Sequence, residues 1–169
     1  MAFFNYIQSA PVAISAADLD NRLQTADSQE KRIPFVDGDI VRIPVPESLG
    51  SIDWECLDGS GNPTTERRNK GTFLVLLGCS YASGEAIESI ALSLFRTKPA
   101  FTPAADGSRP IVESIAPRNA KPSQIWAAIK ALPTKGSRSN KYHEVKFKSL
   151  EYAGADGKYH TISAFVAVP

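Results

Sequence analysis

The spacing of apolar residues changes along the chain, and each change of period predicts an element. Leu19, Leu23 and Ala26 recur at helical spacing behind Ser15-Ala16-Ala17-Asp18. Ser15 can accept from the free N–H groups of a first turn, and Asp18 sits near the positive end of the dipole. A short helix over about 16–27 is expected, ended by the polar run Asp27-Ser28-Gln29-Glu30-Lys31-Arg32. Ile33 to Val45 reads as strand, interrupted at Asp37-Gly38, with β-branched residues in Ile40-Val41-Arg42-Ile43. Pro34, Pro44 and Pro46 bracket it, so a short strand or an edge strand is expected.

The apolar run Thr72-Phe73-Leu74-Val75-Leu76-Leu77 predicts a central buried strand. Residues 85–96 fit a helix face through Ile87, Ile90, Ala91 and Leu94 and also alternate as a strand, and the flanking Gly84 and Pro99 favour strand over 88–96. A short strand is expected at Ile111-Val112, and a helix over about 123–132 with Ile125, Ile129 and Leu132 on one side beside Trp126. Pro133 and Gly136 end that helix. The alternating stretches Tyr142–Glu151 and Tyr159–Val168, joined through Ala155-Asp156-Gly157, predict a C-terminal β-hairpin. Residues 1–14 read as an arm or a first strand. Residues 47–70 read as the least regular part, with long loops at 58–70 and at the proline-rich 97–122.

Strands joined by long loops rather than by regular helices argue against a doubly wound parallel sheet. The expected fold is a single α+β domain over 1–169, mainly antiparallel β, with two short helices. A small barrel or a strongly twisted sheet, of the size of an OB-type barrel, is one arrangement that fits. Composition agrees: 43% of 169 residues are hydrophobic and 22% charged, which excludes a disordered, collagen-like or disulfide-dense chain. No apolar run reaches the roughly 18–20 residues that span a bilayer, and the interrupted N-terminal stretch lacks a basic region, so neither a membrane nor an export signal is expected. The two cysteines, Cys56 and Cys79, fit a reducing, cytoplasmic setting, with a single disulfide left open.

Charge adds one feature that the apolar pattern does not. The formal net charge is only +1, yet residues 1–95 hold 7 Lys+Arg against 13 Asp+Glu (net −6) and residues 96–169 hold 12 against 5 (net +7). Within 118–148 stand Arg118, Lys121, Lys130, Lys135, Arg138, Lys141, Lys146 and Lys148, with Glu144 as the lone acid. Such polarity points to a nucleic acid or an acidic protein surface, or to an acidic half that folds against the basic half and cancels it.

Period-2 geometry in the first hairpin strand puts Tyr142, Lys146 and Lys148 on one face and Val145 and Phe147 toward the core. Rings that stack on bases beside cations that track phosphates suit single-stranded DNA or RNA, although a solvated sheet face carries the same pattern. The candidate binding set is Phe95, Arg96, Lys98, Lys135, Arg138, Lys141, Tyr142, Lys146, Lys148 and Tyr159. Thr134 to Lys141 reads as a flexible basic loop able to close over a strand.

Metal binding and catalysis have little support. His143 and His160 are the only histidines, and no zinc-type ligand spacing, phosphate loop or nucleophile elbow is present. Cys79 with a histidine is the one nucleophile pair to consider. The sequence therefore predicts a non-catalytic binding protein without cofactor. The rival is a structural or assembly subunit of a virus or mobile element, suggested by the apolar Phe3, Phe4, Tyr6 and Ile7 and by head-to-tail charge polarity.

Overall fold

Stretches with a two-residue apolar period become antiparallel strands, which pair into two sheets. The computed structural model of the chain describes residues 6–8, 12–13, 35–56, 60, 62 and 70–169. The first sheet contains β1 (Tyr6–Gln8), β2 (Val12–Ala13), β4 (Ser48–Cys56), β5 (Lys70–Leu77) and β7 (Ser89–Ala91). Its order is β1-β4-β5-β7, with β2 also on β4. The second contains β3 (Ile40–Pro44), β6 (Ser80–Tyr81), β10 (Lys135–Gly136), β11 (Lys141–Ala153) and β12 (Tyr159–Ala167). Its order is β10-β11-β3-β6, with β12 also on β11. A two-stranded ribbon, β8 (Lys98–Pro99) and β9 (Ile111–Val112), packs against β12. Among the described residues there is one α-helix, α1 (Pro122–Lys130), and the strands close no barrel.

The core lies where the two sheets and α1 meet. Leu74, Leu76 and Ile90 enter it from the first sheet, Val41, Ile43, Val145, Phe147 and Phe165 from the second, and Ile125 and Ile129 from α1. A 3-10 turn, Leu92–Phe95, sits at the junction and contacts β5, β12 and α1. Its Phe95 is fully buried and stacks on Phe165 at 5.0 Å between ring centroids. Phe35, Phe147 and Phe165 lie within 5.1–5.4 Å of one another. Each such ring contributes roughly 1.5–3 kcal/mol on burial, so this aromatic cluster anchors β11 and β12 to the rest of the molecule.

The C-terminal hairpin forms with its inward residues as the alternation requires: His143, Val145 and Phe147 are buried, while Lys146 and Lys148 are exposed. β5 has consecutive buried residues, Leu74, Val75 and Leu76, as an interior strand should. β3 is short, but it lies inside the sheet between β11 and β6, because Pro44 falls at its end where a missing donor matters least.

Two expectations need correction. Residues 48–56 form the nine-residue strand β4 rather than irregular structure, and β4 pairs with β5 from Ser48↔Leu77 to Glu55↔Lys70. The strand expected over 88–96 stops at Ala91, and the chain then tightens into the 3-10 turn that buries Leu92 and Phe95 on the core side. The helix expected over 16–27 and most of the 58–70 loop lie outside the described residues. No helix of the described residues is long and apolar enough to cross a membrane.

Candidate nucleic-acid interface

Three strands build the basic face. β11 is flanked on one side by β3, and on the other by β10 and then β12. Cross-strand register sets the rows: Tyr142 lies between Pro44 and Lys135, Glu144 beside Arg42, and Lys146 between Ile40 and Val166. Tyr142, Glu144, Lys146 and Lys148 therefore share the face opposite to His143, Val145 and Phe147.

Glu144 is the centre of this face. Its Oε1 is 3.2 Å from Lys135 Nζ, and its Oε2 is 3.5 Å from Arg42 Nε. The Lys135 contact is a hydrogen bond, whereas Arg42 Nε is buried without one, so the second contact is coulombic only. The Arg42 guanidinium carbon lies 4.4 Å from the centre of the Tyr142 ring, a cation–π arrangement worth roughly 0.5–1 kcal/mol at a partly exposed site. The Cδ1–Cε1 side of that ring lies against Gly136, whose φ is +95°. A Cβ there would strike the Asn140 carbonyl oxygen and come within 2.9 Å of Tyr142 Cε1, so only glycine allows this close approach.

The segment before β11 is not an open loop. Gly136 pairs with Lys141, and Ser137 and Asn140 exchange backbone hydrogen bonds of 3.2 and 3.3 Å, making a short hairpin with Arg138 exposed at its tip. Among the described residues no carboxylate lies within ion-pair distance of Arg138, Lys141, Lys146 or Lys148. Three described acids of the early half are committed elsewhere. Asp37 accepts from Ser149 N–H at 2.8 Å, Asp39 from Val36 N–H at 2.9 Å, and Glu47 faces His143.

Five members of the expected binding set stand apart from this face, and the first is Lys141, exposed at the start of β11 with the parity of His143. Phe95 is fully buried and has no ring surface for a base. Tyr159 is 78% exposed, yet its partner Ala153 has the parity of Phe147, so its ring belongs to the opposite face beyond the end of the core. Arg96 is half-buried and donates from Nε to Ala120 O at 2.9 Å. Lys98 is half-buried in β8 opposite Val112. Lys135, Tyr142, Lys146 and Lys148 do share this face, with Arg138 at the adjoining hairpin tip, and they are joined by Arg42, which belongs to the acidic half of the chain. Alternation in Ile40-Val41-Arg42-Ile43 sets Arg42 apart from the core residues Val41 and Ile43, but only the register shows what it meets.

The remaining chemistry-bearing side chains are structural. His143 is 3% exposed, with Nε2 2.5 Å from Glu47 Oε1 and Nδ1 3.3 Å from Pro133 O, tying β11 to the β3–β4 and α1–β10 connections. His160 stacks on Tyr152 and faces both oxygens of Asp156 at 2.9 Å, and this contact holds the Asp156 carboxyl below the usual carboxylate range. Cys79 is a free, buried thiol pushed up to about 12 by burial, so it is not a thiolate at neutral pH. Its pairing with a histidine as a nucleophile has no support, since both ring nitrogens of His143 face other partners and His160 faces Asp156. Among the described residues no three His, Cys, Asp or Glu side chains converge as metal ligands. Comparison of the chain with protein-family models, with curated proteins and with solved structures gives no match.

Proposed function

We propose that the chain is a non-catalytic nucleic-acid-binding protein that takes single-stranded DNA or RNA across the outer face of β3, β10 and β11. The observation that carries this reading is the pair of exposed lysines without carboxylate partners, Lys146 and Lys148, on the face of the Arg42–Tyr142 stack, with Arg138 exposed at the adjoining hairpin tip. The lysines and Arg138 neutralise phosphates, and the half-buried Tyr142–Arg42 stack offers the one planar surface among them for a base. Affinity then falls as salt rises, because bound phosphates release condensed counterions. Fluorescence anisotropy of a labelled single-stranded oligonucleotide at two salt concentrations tests it. Binding at low salt that weakens at high salt supports the reading, and no binding at low salt overturns it.

Self-association as an assembly subunit is the second reading. Of the apolar N-terminal residues, Tyr6 and Ile7 lie in a strand paired with β4, and Phe3 and Phe4 lie outside the described residues. This reading rests instead on the β8–β9 ribbon. Val112 is buried, while Ile111 is 55% exposed and Phe101, just beyond β8, is 86% exposed. Light scattering over a concentration series separates the two: a monomer at every concentration removes this second reading.

A further inference from the structure

Lys135, Lys146 and Lys148 on this face, and Arg138 at the adjoining hairpin tip, contribute in a way that lysine can match: each is a solvent-facing charge. Arg42 differs. Its guanidinium lies over the Tyr142 ring, and its Nε is buried 3.5 Å from Glu144 Oε2. Tyr142 in turn is held by the close approach of Gly136, and Glu144 is held by Lys135. The side chain of Arg42 nevertheless remains 35% exposed, and none of its terminal Nη groups has a hydrogen-bond partner among the described residues.

We propose that Arg42 is the phosphate anchor of this face. The Tyr142 ring restrains the guanidinium from one side and the Glu144 charge attracts it from another, so its terminal N–H groups are oriented before the ligand arrives and meet two oxygens of one phosphodiester as a fork. Lys146 and Lys148 supply charge without fixed direction. A planar, oriented fork loses less freedom on binding than an ammonium on a flexible stem, which makes lysine a poor replacement at this one position. Glu144 acts as a positioning residue: it gives up some phosphate attraction to hold the donor still. This inference rests on the nucleic-acid reading and adds to it which residue carries the geometry.

The experiment measures a single-stranded oligonucleotide against the wild type, Arg42→Lys, Lys146→Gln and Tyr142→Leu, each variant first shown to be folded by its melting curve. Arg42→Lys keeps the charge. The expected result is an affinity loss of about tenfold with the salt dependence unchanged, because the number of released counterions is the same. Lys146→Gln is expected to lose only about two- to threefold while its slope of log K against log salt falls by about 0.7. Tyr142→Leu is expected to weaken binding, and adding Arg42→Lys to it should cost little more, since the ring acts through the guanidinium. Wild-type affinity in Arg42→Lys overturns the anchor and leaves the nucleic-acid reading standing. No binding by the wild type at low salt overturns that reading and the anchor with it.

Discussion

The two faces of β11 carry the same strand into opposite environments. Inward, His143, Val145 and Phe147 are at most 3% exposed; Val145 and Phe147 belong to the core cluster, and His143 faces Glu47 and Pro133 O. Outward, Tyr142, Glu144, Lys146 and Lys148 meet only a neighbouring strand side chain or solvent. Stability belongs to the first face and the proposed recognition to the second. One substitution per face should therefore separate folding from binding.

The largest effects are expected inside. Phe147→Ala removes a ring packed between Phe35 and Phe165 and should destabilise by about 3–5 kcal/mol in a denaturant titration. The fraction that remains folded should bind oligonucleotide as before. Glu47→Gln leaves His143 against an uncharged partner at a site where both side chains are nearly inaccessible. Weakening a buried hydrogen bond of this kind costs about 1–3 kcal/mol, read in the same titration. An effect below about 1 kcal/mol would show that the pair is exchangeable with a neutral hydrogen bond.

Burial also predicts an alkaline limit. Cys79 has a raised folded-state value, about 12 against 9.0 for the free thiol, because burial disfavours the thiolate. The folded chain holds this proton more tightly than the unfolded chain. Its contribution is thus fully present below about pH 9 and is lost as pH rises from there toward 12. Tyr81 shifts in the same direction, through burial first and then Asp39 and Glu85. Cys79→Ala should flatten the fall in melting temperature above pH 9, and an unchanged slope would leave Tyr81 as the main source.

The outer face should behave in reverse. Lys146→Gln with Lys148→Gln is expected to change stability by no more than about 0.5 kcal/mol, while the salt slope of oligonucleotide binding falls by about 0.7 for each phosphate contact removed. The smallest effect belongs to the hairpin tip. The Asp156 carboxyl is held low chiefly by its hydrogen bond with His160, so its contribution is present above the usual carboxylate range and lost as pH falls below it. Asp156→Asn should slightly reduce the acid dependence of the melting temperature and leave binding alone.

Local patterns carried much of this fold, and non-local pairings carried the site. The alternation from Tyr142 to Glu151 reports which side chains point inward because a strand needs only its own residues to set that parity. β4 was hidden. Ile52, Trp54 and Cys56 alternate with Ser51, Asp53 and Glu55, but Pro46 before the strand and Gly50 within it look like turn chemistry. Residues 85–96 defeated a one-period reading because the chain switches there from strand to 3-10 turn. Phe95 beside Arg96 and Lys98 resembles an exposed ring among cations. Only the contact with Phe165, seventy positions along the chain, shows that it is core. The Arg42–Glu144 row has the same cause: it joins residues about a hundred positions apart, and register between distant strands is not written in either strand alone.

The proposed recognition is confined to the outer face of β3, β10 and β11. Amide chemical shifts of the isotope-labelled protein, followed while a short single-stranded oligonucleotide is added at low salt, test it most directly. The perturbed signals are expected to cluster at 40–44 and 135–148, with the β8–β9 ribbon and the Tyr159 end of β12 unmoved. Shifts centred on Phe101, Ile111 or Tyr159, or no shifts at all, would contradict it.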